Sequence, residues 1–357
     1  MHQGHDLDLW TAAAAAASGL SMGIASPIWG VLGDRYGRKP MLIRSMLGGA
    51  ITVGLMFFSQ SPIELVVLRF LQGATSGTVA AATALVAAET PRPRVAWALG
   101  VVTSAVALGG AIGPVVGGFA GNVFGLRVVF LGGGILLALS LVPVLAVVRE
   151  SPVARAQGLP VNTVALIRER PGLTKALTVL IASQGLTSLV NSATQILVVL
   201  RLLTMVPSGV SGVSGLGFGL AGISSSGAAV AFTRVTQRFG YVRTVTAAAA
   251  LVAVAVALIG VSPWVALVVI AVGLNGLFSG VVLPATASMI GLEAPHEAQS
   301  TVFGLNASSI AFGFFLGPLI AGTVAATAGI TASLLVVATL AVGLAGVLAA
   351  GAREPAR

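Results

Sequence analysis

The feature that most constrains this chain is the stretch Gly30-Val31-Leu32-Gly33-Asp34-Arg35-Tyr36-Gly37-Arg38-Lys39-Pro40, a charged turn set between two long apolar runs. Only 8% of the residues are charged, yet four charges fall within the six positions from Asp34 to Lys39. A soluble domain is about 45–50% apolar and about 25% charged. Here 56% of 357 residues are hydrophobic and the mean hydropathy is +1.02. That much apolar surface does not fit inside one water-soluble core. The apolar runs are continuous rather than alternating, so the chain reads as an all-α integral membrane protein whose surroundings are the lipid bilayer. With no Cys, disulfides, thiol chemistry and cysteine metal sites are excluded. The net charge of +9 is spread over short loops without interleaved aromatics. It therefore reads as membrane topology, with no nucleic-acid partner. The start, Met1-His2-Gln3-Gly4-His5-Asp6, lacks the basic region of a cleavable signal peptide.

A membrane-crossing helix needs about 20 mostly apolar residues. Eleven such runs are visible, at about 11–32, 41–59, 63–88, 96–120, 127–148, 174–199, 212–233, 244–261, 264–290, 300–326 and 330–350. The one long connection, Arg149 to Lys175, sets the expected organisation. It gives an N-terminal bundle over 1–148, a central loop over 149–173, a C-terminal bundle over 174–350 and a tail over 351–357. Of the 19 basic residues, Arg127 and Arg201 fall on one side, Arg69 lies inside a span, and the rest share the other side. The Asp34 turn, the central loop and the C-terminus are thus expected in the cytoplasm, and Met1 outside. Richness in Ala, Val and Arg, with only Lys39 and Lys175 as lysines, suggests a GC-rich bacterial genome. The expected location is the bacterial inner (cytoplasmic) membrane, crossed many times.

The halves repeat each other. Arg35-Tyr36-Gly37 matches Arg238-Phe239-Gly240, and Gln72-Gly73 matches Asn275-Gly276. Glu89-Thr90-Pro91 matches Glu293-Ala294-Pro295, Trp97-Ala98-Leu99-Gly100 parallels Thr301-Val302-Phe303-Gly304, and Gly113-Pro114 matches Gly317-Pro318. Such duplication is typical of transporters with parallel repeats around a central site. The same offset places the counterpart of 174–199 ahead of Met1. The first half is therefore expected to lack its first span, either through a start assigned inside the first outer loop or as a natural eleven-span variant.

The residues of the turn suggest a gate. Gly33 and Gly37 permit tight backbone, and Asp34 is an anion suited to a helix N-terminus. The repeat offers such an end at Ser300-Thr301 on the same face, and Glu89 is a partner proposed for Arg38. The plainer alternative makes Arg35, Arg38 and Lys39 topology signals only. The pattern G-x-x-x-D-R-x-G-R-K, from Gly30 to Lys39, resembles the loop between the second and third spans of major facilitator superfamily transporters. That resemblance implies a contact holding the cytoplasmic side shut, with Arg35 and Arg38 in the latch. The copy Thr236-Gln237-Arg238-Phe239-Gly240 has lost the Asp, so the latch is expected on one half only.

Arg69 is a charge at membrane depth, which defaults to a functional role unless it snorkels outward. Leu68-Arg69-Phe70-Leu71-Gln72-Gly73 resembles the R-x-x-Q-G motif of proton-coupled facilitators, where the Arg is implied in proton coupling. Gly109, Gly113, Pro114, Gly117 and Gly118 form a small-residue packing face. In the fifth span they resemble the G-x-x-x-G-P-x-x-G-G signature of the antiporter branch, which exports its substrates. Gln184, Ser188, Asn191 and Gln195 share one helix face, and Gln72, Asn275 and Asn306 are isolated amides in other spans. Together they are candidates for lining a substrate cavity, and interhelical hydrogen bonding is the alternative. No Asp or Glu lies mid-span, so no coupling acid is assigned. His2, His5, Asp6 and Asp8 fall in an expected outer loop and are not read as a metal site, and His296 reads as a loop residue.

From Asp8 onward the chain resembles the drug:proton antiporter group of the major facilitator superfamily, in its MdtG-like efflux branch. Trp10, Ala25-Ser26-Pro27-Ile28-Trp29-Gly30, Met41-Leu42-Ile43-Arg44-Ser45 and Trp97-Ala98-Leu99-Gly100 carry that resemblance. It implies the major facilitator fold of two helical bundles, with 11 spans visible of a 12-span architecture. It also implies a monomer that exports a small hydrophobic or cationic solute, with no cofactor and protons as the energy source. The alternatives are a carrier of a sugar, amino acid or organic anion, and a truncated, transport-inactive membrane protein.

Overall fold

The computed structural model describes residues 2–150, 171–206, 210–295 and 298–354. Its regular structure, among these residues, is helical: α1 (His2–Tyr36), α2 (Arg38–Leu55), α3 (Pro62–Thr75), α4 (Thr78–Glu89), α5 (Arg92–Phe124), α6 (Leu126–Val147), α7 (Pro171–Met205), α8 (Val210–Phe239), α9 (Tyr241–Val261), α10 (Val265–Glu293), α11 (Gln299–Ala328) and α12 (Ile330–Gly351). In lipid every backbone polar group must find its partner inside the protein, and a helix meets that demand locally. Ten helical stretches among the described residues are long and apolar enough to cross a membrane, counting Pro62–Glu89 as one. The run expected at 11–32 lies in α1. That helix begins at His2, so residues 2–10 are helical rather than a loop. The Ala-rich run behind them propagates helix readily. The side chains of His2, His5, Asp6 and Asp8, the residue His296 and most of the central loop lie outside the described residues.

Four connections are single glycines. Gly37, Gly125, Gly240 and Gly329 have φ of 103°, 87°, 85° and 88°, a conformation that side-chain-bearing residues rarely adopt. Each lets one helix end and the next begin within one residue. A different start is built at α3. The Ser61 hydroxyl accepts from Glu64 N at 3.3 Å, Glu64 reaches back to Gln60 N at 2.8 Å, and Pro62 occupies the first turn.

Packing divides the chain into two compact units. One comprises Met1–Glu89, Gly113–Leu166 and Ala294–Phe312, the other Thr90–Ile112, Ile167–Glu293 and Gly313–Arg357. Helices α5 and α11 each contribute to both. In the first unit α1 packs on α3 and α2 on α6. In the second, α8 packs on α10 and α9 on α12, while α7 lies against α10 and α12. The same pairings thus recur in both units, as the sequence repeat requires. The first unit has a core around Leu42, Met46, Leu85 and Leu141. The second has a larger one running through Leu197, Val252, Ile259, Leu334 and Val337. Large apolar side chains such as Leu136, 69% exposed, and Leu216, 71% exposed, face outward, where a bilayer would cover them.

Candidate functional site: the Asp34 contact and the polar seams

Asp34 lies in the last turn of α1, and Gly37 turns the chain directly into α2. The Asp34 side chain is 6% exposed. Its Oδ1 accepts from Ser300 N and its Oδ2 from Thr301 N, both at 2.7 Å, so the carboxylate seats on the first turn of α11. Unpaired amides and the helix dipole make that end favourable for an anion. Arg38 Nη2 stands 3.9 Å from Asp34 Oδ1. Burial pushes the Asp34 carboxyl above its usual range, while its bonds to Thr301 and Ser300 pull it down, and the net direction is upward.

The glycines of the motif have distinct jobs. Gly37 makes the turn. Gly33 is inside α1 and does not, contrary to the expectation of a turn residue; a Cβ there would meet Ser300 Cβ at 2.9 Å. A Cβ on Gly30 would meet Ser300 O at 2.5 Å, and one on Gly304 would meet Ser26 O at 2.6 Å. Gly30, Gly33 and Gly304 therefore let α1 and the start of α11 touch through their backbones.

The remaining motif residues are arranged as follows. Arg35 is exposed and lies 5.3 Å over the Tyr36 ring. Lys39 Nζ donates to Leu145 O at 3.4 Å. Glu89 is the last residue of α4 and half-buried. The carboxylate at the start of α2 is Glu150, which accepts from Arg38 N at 2.7 Å and Lys39 N at 3.2 Å. In the second unit Glu354 accepts from Tyr241 N at 3.0 Å and Val242 N at 2.9 Å, behind Gly240. This is one device built twice. Sequence reasoning missed it, although Arg149-Glu150-Ser151-Pro152 and Arg353-Glu354-Pro355 stand at the repeat's own spacing.

Arg69 Nη1 donates to Gln72 Oε1 at 3.0 Å, and its guanidinium is 5.9 Å from the Phe130 ring. Gly73, next along, packs so tightly on α1 that a Cβ would meet Ser18 O at 2.2 Å. Along α5, no described atom lies within 4 Å of a Cβ built on Gly109 or Gly113, and Gly117 has only Val129 at 3.8 Å. Side chains at Pro114 and Gly118 lie outside the description. The repeat copies behave differently. A Cβ on Gly313 would sit 2.2 Å from Gly185 O, and one on Gly317 2.6 Å from Leu189 O, so α11 and α7 meet there closely.

The amide face of α7 forms a seam with α10. Gln184 Nε2 donates to Leu283 O at 3.0 Å, Asn191 Oδ1 accepts from Ser279 Oγ at 3.0 Å, and Ser188 Oγ bonds within its own helix to Gln184 O at 2.9 Å. Gln195, on the same face, is exposed. Gln184 Oε1, Asn275 Oδ1 and Asn306 Oδ1 are buried acceptors without a hydrogen bond among the described residues. A cleft in the first unit runs from Gly33, Arg38 and Ser300 to Trp29, Arg44, Ser76 and Gly77.

Within the first unit, then, a buried acid is bonded to a helix start at Ser300, 266 residues further along the chain. The family pattern of the Major Facilitator Superfamily matches residues 7–235 and 211–357. The chain belongs to the major facilitator superfamily. It is MdtG-like: it is 32% identical over 346 residues to the multidrug resistance protein MdtG of Dickeya zeae, covering 95% of this chain and 83% of that relative. Over 149 residues it is 40% identical to the multi-drug resistance efflux pump PmrA of Streptococcus pneumoniae, which covers 41% of this chain and 37% of that relative. Its fold matches the human organic anion transporter MFSD10 (TETRAN) with a TM-score of 0.79 at 21% identity, over 95% of this chain and 83% of that one. The Escherichia coli fucose:proton symporter FucP follows at 0.74 and 14%, over 96% and 92%. The chain is thus a multi-pass membrane transporter of this superfamily and not an enzyme.

Proposed function

We propose that this transporter exports hydrophobic or cationic drug-like solutes by proton antiport, working by alternating access as a monomer in the bacterial inner membrane with its C-terminus in the cytoplasm. The observation that carries the mechanism is the bidentate seat of Asp34 on Ser300 N and Thr301 N. Two short bonds at a helix start, offset by the cost of burying the charge, suit a contact that forms in one state and breaks in the other. Arg38 belongs to this gate, and Glu150 fixes the start of α2 beside it. Arg69, which donates to Gln72, is assigned to proton coupling, and the antiporter motif from Gly109 to Gly118 to the export direction. Gln184 and Asn275, both in the second unit, supply acceptor oxygens to a solute bearing N–H or O–H groups. The named functions of MdtG and PmrA favour a drug cargo over a sugar, amino acid or organic anion.

The test is ethidium transport in everted vesicles with an imposed pH gradient. Gradient-dependent uptake that collapses with a protonophore is expected, and Asp34→Asn changes its rate. Uptake that ignores the gradient would sink the antiport reading. An unchanged rate in Asp34→Asn would sink the gate.

A further inference from the structure

The stretch Pro62–Glu89 is long enough to be one membrane span, yet it is two helices. α3 has 14 residues and α4 has 12, separated by Ser76 and Gly77, with Gly77 at φ 114°. At 1.5 Å per residue the break falls about 20 Å from the start of α3, well within the membrane's depth. A helix end there leaves carbonyls without a partner inside their own helix.

Every one of those carbonyls has a donor. Gln72 O receives from Thr75 Oγ1 at 3.3 Å and Gly73 O from Ser76 N at 3.2 Å. The last three are taken from outside the span. Ala74 O receives from Trp29 Nε1 at 2.7 Å. Thr75 O receives from Arg44 Nη1 and Ser76 O from Arg44 Nη2, both at 3.2 Å. The guanidinium itself lies 3.6 Å over the Trp29 ring. Beside it, Thr78 Oγ1 donates to Ser45 Oγ at 3.1 Å, tying the first residue of α4 to the residue after Arg44. A Cβ on Gly48 would meet Thr75 Cβ at 2.6 Å, so α2 lies directly against the break. One forked cation thus spans two successive carbonyls, a task a lysine's single ammonium does poorly.

We infer that Arg44 and Trp29 are positioning residues that clamp the broken span Pro62–Glu89, fixing the angle between α3 and α4. This rests on the exporter reading for its consequence in transport. α3 carries the Arg69–Gln72 pair one turn before the break. The break and the Asp34 contact also border the same cleft. Losing the clamp lets the two half-helices move independently, so the step that reorients the protein slows while solute affinity stays.

The chain has no Cys, so spin labels at Ile63→Cys and Ala88→Cys report the distance across the break. In lipid nanodiscs, Arg44→Ala is expected to broaden that distance distribution roughly twofold as the junction opens locally. Arg44→Lys and Trp29→Phe broaden it less, because each keeps part of the clamp. Ethidium transport in vesicles is expected to lose about tenfold in Vmax with KM within about twofold, and Arg44→Lys recovers part of it. A distribution unchanged in both Arg44→Ala and Trp29→Phe would overturn the clamp. A broadened distribution with unchanged Vmax would overturn its role in transport. A broadened distribution in a chain that moves no ethidium even without substitution would support the clamp and overturn the exporter reading.

Discussion

Replacing Gly30 by Ala tests the gate without touching its charges. A Cβ at Gly30 would stand 2.5 Å from Ser300 O and 3.0 Å from Thr301 Cα, both backbone atoms with no rotamer to yield. Ordinary contact begins at 3.4 Å, so the start of α11 must retreat by about 0.9 Å. The two 2.7 Å bonds that Asp34 accepts then stretch to about 3.6 Å, beyond hydrogen-bond range. Bonds to a charged group contribute about 1.5–3 kcal/mol each. Alanine gains about 1 kcal/mol over glycine in a helix, which works against the effect. If relaxation preserves one bond, the net weakening of the contact is about 0.5–2 kcal/mol, or roughly two- to thirtyfold in its opening equilibrium. Hydrogen exchange of the amides at Ser300 and Thr301 reads that equilibrium directly. The control is Gly109→Ala, where no described atom lies within 4 Å of the new Cβ. Exchange in Gly30→Ala within about twofold of the parent would refute the reasoning, because the clash would then be absorbed elsewhere.

Two further substitutions follow from the same geometry. Glu150→Gln keeps the size of the side chain but removes the charge that seats on Arg38 N and Lys39 N; a loss of about 1 kcal/mol is expected, read as a lowered thermal midpoint in detergent. Gly313→Ala places a Cβ 2.2 Å from Gly185 O and is expected to cost about 1–3 kcal/mol in the same assay, whereas its repeat counterpart Gly109→Ala stays within about 0.5 kcal/mol.

The sequence by itself determined the helical membrane class, the position of nearly every span and the internal repeat. Continuous apolar runs separated by Gly, Pro and charge admit few other readings in lipid. It also placed Asp34 and Ser300-Thr301 at matching ends of spans, because duplication carries position from one half to the other. Tertiary structure alone decided what touches what. The Glu150 and Glu354 caps depend on the segments after α6 and α12 returning to helix starts 112 residues away, and only folding brings them there. The break at Ser76–Gly77 was invisible because the run from Pro62 to Glu89 stays apolar across it; hydropathy records side chains, while a break is a matter of backbone bonds. Arg44 reads in sequence as one more basic residue near a membrane face. Its role emerges only when Trp29, Thr75 and Ser76 converge on it, since a carbonyl's need for a donor is set by the end of a helix and not by the residue that bears it.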